Sequence, residues 1–212
     1  MGEIKLIVTS DGSHSLLNED LDETYHSRHG AVQESLHVFI RNGLEKIPIA
    51  NHPVNIFEVG FGTGLNALLA LSTERIINYA SIEAYPLDET IFSSLNYAPQ
   101  GLLQTLHRSE WDQSIQITPH FTLKKIKGDL LTASIPSHSD IIFFDAFAPS
   151  KQPEMWGLPV LKKVCDTLMP GGIFVTYCAK GQLKRDLKSL GLEVETLPGP
   201  PGKKEMVRGT KK

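Results

Sequence analysis

Asp145 is the residue whose setting most invites chemistry. The apolar run Ile141-Ile142-Phe143-Phe144 leads into it, and Ala146-Phe147-Ala148-Pro149 follows. A carboxylate delivered to the end of a strand can accept a proton or stabilise a nearby positive charge. A second constellation is Glu58-Val59-Gly60-Phe61-Gly62-Thr63-Gly64, set between strand-like Asn55–Val59 and helix-like Leu65-Asn66-Ala67-Leu68-Leu69. Glycines at that point let the backbone turn tightly and approach a ligand where a Cβ would collide. Glu83 closes the next apolar run, 19 residues past Gly64, where an acidic side chain can accept hydrogen bonds from ribose hydroxyls. The competing local readings are a turn with incidental glycines, and an Asp145 that caps the following loop through backbone amides.

The glycine spacing separates two cofactor classes. The dinucleotide fingerprint has its third glycine five residues after the first; here Gly60, Gly62 and Gly64 place it four residues on. This form, preceded by Glu58, resembles the first motif of class I methyltransferases. Lys127-Gly128-Asp129-Leu130 follows the third strand, and in such methyltransferases an Asp there typically holds the adenine amino group. In that fold the strand before Asp145 borders the methyl donor, so Asp145 faces the reaction site. A primary amine is mostly protonated near neutrality and must lose a proton before it can attack a methyl group, which requires an acceptor within reach. A water chain is the other way to meet that need.

The elements that must position these residues can be read from periodicity. Strands are expected at Asn55–Val59, Tyr79–Ala84, Phe121–Ile126, Asp140–Phe144 and Gly172–Cys178. Helices are expected at Leu65–Leu71, Asp88–Leu95, Gly101–Ser109, Met155–Leu168 and Gly181–Leu190. Apolar runs alternating with helical patterns signal βαβ units and a parallel sheet. Phe121–Ile126 alternates with lysines and is placed near an edge, while the other four runs read as strands covered on both faces. Residues 1–20 suggest a hairpin around Ser10-Asp11-Gly12-Ser13, and Val32, Leu36, Phe39 and Ile40 mark a helix ended by Gly43. Glu193–Leu197 and Glu205–Val207 resemble a terminal antiparallel hairpin. The expected architecture is α/β: a Rossmann-like, seven-stranded, mostly parallel sheet in one domain, with an N-terminal hairpin and helix extension (residues 1–50) before the core (residues 51–212).

Composition narrows the function classes. With 21 basic and 24 acidic residues the chain carries a net charge of −3, so a polyanion would have to be met by a local patch. Lys203, Lys204, Arg208, Lys211 and Lys212 can supply one against a single Glu205, with Lys180, Lys184, Arg185 and Lys188 on or beside the last helix; a solvated basic tail is the competing reading for Lys211 and Lys212. Lys203 and Lys204 adjoin the rigid Pro198-Gly199-Pro200-Pro201-Gly202 segment, which suits docking better than a floppy tail. Cys165 and Cys178 lack metal-ligand spacing and read as buried free thiols. No cysteine or carboxylate completes a zinc site with His26 and His29. No apolar run reaches the roughly 18 residues of a membrane span, and the N-terminus is not a signal peptide. No metal, no membrane and a cytoplasmic location are therefore expected, and no obligate protein partner is evident.

Together these motifs resemble one family, the methyltransferase domain of MnmC and its stand-alone counterpart MnmD. The matching stretches include Ser10–Ser13, Tyr25–Ala31, Glu34–Phe39, Gly60–Asn66, Glu83–Leu87, Asp145–Pro149, Pro153–Trp156, Thr176–Cys178 and Pro198–Met206. The resemblance implies methyl transfer from S-adenosylmethionine to the exocyclic amine of 5-aminomethyl(-2-thio)uridine in the anticodon of tRNA. It implies a cofactor site of Glu58, Gly60, Gly62, Thr63, Gly64, Asn66, Glu83 and Asp129, with Asp145 as the catalytic group. His26, Glu34, Phe147, Trp156, Lys203 and Lys204 are expected on the substrate side, Trp156 as a platform for a base, although without the resemblance Trp156 reads as a core residue at a helix start. Bifunctional members also carry a flavin-dependent oxidase; no second glycine motif occurs here, so that step is not expected of this chain. The rivals are a methyltransferase for another amine, a nicotinamide-dependent oxidoreductase and a non-catalytic tRNA-binding protein.

Overall fold

The computed structural model describes residues 3–49 and 52–212, so the expected boundary at residues 50 and 51 lies outside the described residues. In chain order the first elements are β1 (Ile4–Val8), β2 (His14–Asn18), β3 (Glu23–Thr24) and α1 (Ala31–Ser35), which runs on as a π-helical stretch, Leu36–Arg41. Then come β4 (Val54–Val59), α2 (Leu65–Leu71), β5 (Ile77–Glu83), α3 (Glu89–Ser94), α4 (Gln100–Arg108), β6 (Ser114–Thr118), β7 (Phe121–Lys127) and β8 (Ser139–Phe144). The chain ends with α5 (Leu158–Cys165), β9 (Leu168–Thr176), α6 (Gly181–Ser189), β10 (Leu192–Pro198) and β11 (Glu205–Lys211).

Among the described residues the main sheet has eight strands, in the order β10-β11-β9-β8-β4-β5-β7-β6. The strands from β9 to β7 run parallel, while β11, β10 and β6 are antiparallel to their neighbours. The expected mostly parallel α/β sheet is therefore present, with one strand more than the seven anticipated. The missed strand is β6, where Ser114-Ile115-Gln116-Ile117-Thr118 hides its alternation among polar residues because it covers the edge of β7 and is itself only partly buried. The expected helix Met155–Leu168 is also corrected. Pro153–Trp156 forms a separate 3₁₀ turn, Gly157 breaks the run, α5 ends at Cys165, and Leu168 already begins β9.

The sheet owes its two-sided cover to simple alternation. In β4 and β8, Ile56, Ile141 and Phe143 enter one core with Phe39, Tyr79 and Val175. Their neighbours Phe57, Ile142 and Phe144 enter the other with Val160, Leu161 and Leu187. Burial on both faces is what makes these strands read as continuous apolar runs. Lys125 of β7 breaks the pattern. It is fully buried, its ammonium donating to the His107 carbonyl and lying 4.4 Å from the Trp111 ring centroid. Burial lowers its pKa to about 8.

The N-terminal hairpin gains a short third strand and forms a separate antiparallel sheet, β1-β2-β3. Polar contacts fasten it to the segment between α3 and α4. The His14 N–H donates to Asn96 Oδ1 at 2.8 Å, and Asn96 Nδ2 donates to the Gly12 carbonyl at 2.9 Å. Tyr97 Oη donates to the His14 carbonyl at 2.6 Å. This docking carries Tyr25 and His26 to the carboxyl end of the main sheet, where the parallel strands deliver the glycine loop, Glu83 and Asp145. No helix among the described residues is long and apolar enough to cross a membrane.

Candidate active site

A cavity of about 700 Å³ opens at the carboxyl ends of β4, β5 and β8, roofed by residues 18–27 of the N-terminal segment. Its floor is the glycine loop. Gly60 has φ +91°, and a Cβ there would lie 2.9 Å from the carbonyl oxygen of Asp145. The absence of that Cβ allows the exits of β4 and β8 to touch, and the Asp145 N–H donates to the Val59 carbonyl at 3.0 Å. The loop is braced from β5: Glu83 accepts the Gly62 N–H at 2.9 Å with one carboxylate oxygen and the Tyr85 N–H at 2.8 Å with the other. Each oxygen keeps acceptor capacity for a hydroxyl donor.

Asn66 joins two carboxyl groups. Its amide nitrogen donates to Asp145 Oδ2 at 2.8 Å and to Glu58 Oε1 at 3.1 Å. Glu58 also accepts from Ser81 at 2.6 Å and is wholly buried. Burial, reinforced by the charge of Asp145, raises its carboxyl to about 8. Asp145 lines the cavity. Burial, and then the negative charge of Glu34, push its carboxyl up to about 7, against the opposing effects of the Asn66 hydrogen bond and the Lys203 charge. A carboxyl held there exchanges a proton readily near neutrality, as a proton acceptor must.

The third wall comes from segments far apart in sequence. Glu34 of α1 accepts the Ser27 N–H at 2.6 Å on one oxygen and the Lys203 ammonium on the other. Lys203 lies 3.8 Å above the Tyr177 ring centroid, and Tyr177 donates its hydroxyl to the Ala146 carbonyl at 2.8 Å. His26 Nε2 and Thr63 Oγ1 share a 2.7 Å hydrogen bond, and burial lowers the pKa of that imidazole to about 4, keeping it neutral. Tyr25 meets the Phe147 ring edge-on at 5.0 Å.

Most of the expected site residues converge here. Gly60, Gly62, Thr63, Asn66, Glu83, Asp129, Asp145, His26, Glu34, Phe147 and Lys203 line the cavity. Asp129 stands at its exposed rim, accepting the Leu131 N–H at 2.8 Å. Gly64, expected in the cofactor site, does not line the cavity: it precedes α2 with φ +72°, and a Cβ there would meet His107, Phe61 and Leu103. Four further expectations need correction. Glu58 does not line the cavity; it lies behind the loop and reaches the site only through Asn66. Trp156 is no platform for a base, because its ring is buried against Phe144 and its Nε1 donates to the Phe147 carbonyl at 2.8 Å. Lys204 is exposed outside the cavity. The basic residues of the C-terminus do not form one patch: β11 runs away from the cavity, so Lys211 bonds the Cys165 carbonyl at the far end of the sheet, while Arg208 pairs with Glu195 and Lys184 with Glu205. Tyr25 and Tyr177 were missed. Both fall in stretches that resemble the family, but only the fold turns them into the cavity.

The residues fit a nucleoside-type cofactor. The loop offers bare backbone, Glu83 and Asp129 offer acceptors, and Asn66 Oδ1 is a buried acceptor with no partner in the protein. Comparison with known proteins agrees. The model of a family described as S-adenosyl-L-methionine-dependent methyltransferases matches residues 96–212. The bifunctional tRNA 5-methylaminomethyl-2-thiouridine biosynthesis protein MnmC of Marinomonas sp. (strain MWYL1) is 30% identical over 217 residues, covering 91% of this chain and 32% of that protein. Its namesake from Cupriavidus necator is 29% identical, covering 87% and 31%. The chain thus spans about a third of the length of these curated relatives. The crystal structure of MNMC2 from Aquifex aeolicus superposes with a TM-score of 0.84 at 26% identity, covering all of this chain and 71% of that one. Spermidine synthase from Thermotoga maritima, at 12% identity and a TM-score of 0.57 over 98% of this chain and 72% of its own, shares the fold.

Proposed function

The chain belongs to the family of S-adenosyl-L-methionine-dependent methyltransferases, and on that premise we propose that it methylates the exocyclic amine of 5-aminomethyl(-2-thio)uridine at the wobble position of tRNA. The relatives named for 5-methylaminomethyl-2-thiouridine biosynthesis support this substrate. Within the site, the observation that carries the reading is the placement of Asp145 on the cavity wall, held by Asn66 at 2.8 Å, in the same cavity as a second carboxylate, Glu34. Two acidic groups in one recess suit an acceptor that arrives as an ammonium ion.

S-adenosylmethionine, when bound, supplies an electrophilic methyl group, so the acceptor nitrogen must present a lone pair. In this reading Gly60, Gly62, Thr63, Asn66, Glu83 and Asp129 hold the cofactor. Asp145 attracts the ammonium, orients it and takes its proton onto Oδ1 or Oδ2; Asn66 keeps the carboxylate aimed while it does so. Tyr25 and Phe147, which meet edge-on, give that side of the cavity an apolar wall. His26 and Glu34 shape the acceptor side. The work is done by one domain, its N-terminal extension serving as roof, on tRNA in the cytoplasm.

Nucleoside mass spectrometry tests the substrate. tRNA from cells lacking the protein should accumulate 5-aminomethyl nucleosides, and the purified protein with S-adenosylmethionine should convert them to the methylaminomethyl form. Unchanged tRNA nucleosides, with methylation of a free amine or a protein instead, would refute the assignment. Calorimetry with adenosylhomocysteine and NAD separates the nicotinamide alternative.

A further inference from the structure

Glu34, Tyr177 and Lys203 come from α1, the segment after β9, and the β10–β11 loop, and they meet at the acceptor side of the cavity. The Lys203 ammonium pairs with a carboxylate and lies over the face of an aromatic ring. This is the arrangement by which proteins recognise alkylammonium ions. Its two walls are fixed without the lysine. Glu34 is held by the Ser27 N–H on its other oxygen, and its side chain is only 7% exposed. The Tyr177 ring is pinned by its hydroxyl bond to the Ala146 carbonyl. The occupant is different in kind: a flexible four-carbon stem whose side chain is 33% exposed. It projects from a turn that is itself docked, where a Cβ on Gly202 would fall 2.0 Å from the His29 ring. Lys204, its neighbour, already faces solvent.

We propose that Glu34 and Tyr177 form an alkylammonium-binding site that Lys203 fills in the free protein, and that the acceptor's own ammonium takes this site when Lys203 leaves it for a phosphate of the same polynucleotide. The proposal rests on the reading that the acceptor is a primary amine carried on RNA. It explains how the site discriminates. A free amine must compete with a tethered lysine, whose effective concentration is high. An amine on RNA brings the phosphate that draws the lysine away. The exchange conserves charge, since one ammonium replaces another at Glu34 while Lys203 joins Lys204 in facing the anionic backbone. Glu34 and Tyr177 thereby act as specificity residues, and Asp145 keeps its role as proton acceptor.

Two probes without phosphate, benzylammonium and benzyl alcohol, test the site by calorimetry on the protein saturated with adenosylhomocysteine. Lys203→Gln should bind benzylammonium about tenfold more tightly than wild type, the order expected from freeing a carboxylate and an aromatic face. Benzyl alcohol affinity should be unchanged. Adding Glu34→Gln to Lys203→Gln should abolish the gain. Lys203→Met, which keeps the apolar stem, repeats the measurement where the glutamine variant melts early. Equal or weaker benzylammonium binding in both lysine variants would overturn the proposal, because Lys203 would then be a fixed strut for Glu34. The substrate assignment is judged separately, by whether wild type methylates RNA containing 5-aminomethyluridine. A failure there leaves the benzylammonium contrast standing as a property of the cavity.

Discussion

His26 Nε2 and Thr63 Oγ1 lie 2.7 Å apart, so a histidine from the roof of the cavity is bonded to a threonine from its floor. The two residues are 37 positions apart, and both are buried. This bond ties the N-terminal segment to the glycine loop and makes the order of one depend on the other. His26→Ala and Thr63→Val should each weaken adenosylhomocysteine binding about five- to tenfold, the worth of one buried hydrogen bond. The double variant should lose little more than either alone. Full additivity in a calorimetric double-mutant cycle would show that the two residues act independently. Acid should loosen the same link. Burial holds the His26 pKa near 4 against an ordinary 6.5, so the unfolded chain binds a proton that the folded protein refuses, and this contribution to stability falls as pH drops from 6.5 towards 4.

If Asp145 takes the proposed role, its ionisation should set the pH dependence of turnover. Its carboxyl is held up at about 7 by burial and by Glu34, and only the ionised form accepts a proton. The single-turnover rate should rise with pH through about 7 and then level. Asp145→Asn should lose on the order of a hundredfold or more in rate while retaining cofactor affinity, and its profile should lack the inflection. Full activity in that variant would remove Asp145 from the chemistry. Glu34→Gln removes a negative neighbour and should shift the inflection towards acid.

Glu58 reaches the site only through Asn66, so its signature is stability as much as rate. Its carboxyl titrates near 8 when folded, against an ordinary 4.5. Between those values the folded protein keeps a proton that the unfolded chain releases, and rising pH therefore costs stability across the window. Glu58→Gln cannot ionise. The urea midpoint of that variant, relative to wild type, should climb from pH 4.5 to 8 and level above it. A difference that does not vary with pH would mean that Glu58 is ionised in the folded protein.

Gly60 admits no side chain. Alanine there would adopt φ +91° and press its Cβ on the Asp145 carbonyl, 2.9 Å away. Gly60→Ala should cost about 1–3 kcal/mol in backbone strain, with a further loss of turnover as Asp145 is displaced. Gly171→Ala, at φ +78° with nothing within 4 Å, should bear the strain alone. Comparing the two by thermal melting and single-turnover rate isolates the contact; equal effects on rate would dismiss it.

Periodicity and spacing sufficed for the frame. Strands buried on both faces must be apolar throughout, and a loop that brings backbone against a ligand must be glycine-rich, so β4, β5, β8, β9 and the glycine loop are legible in the sequence. β6 is not, because in a short, partly exposed edge strand only Ile115 and Ile117 alternate with polar residues. The direction in which a side chain faces was equally hidden. Glu58 and Asp145 both sit near the ends of apolar strands, yet one lies behind the loop and the other on the cavity wall. Trp156 borders the same recess in sequence and is buried in the core instead. Contacts such as Lys203 with Glu34, 169 positions apart, arise when separate strand ends and a docked hairpin converge on one point. Local sequence constrains each segment's conformation; which residues of distant segments share a cavity is set by the packing of the whole sheet.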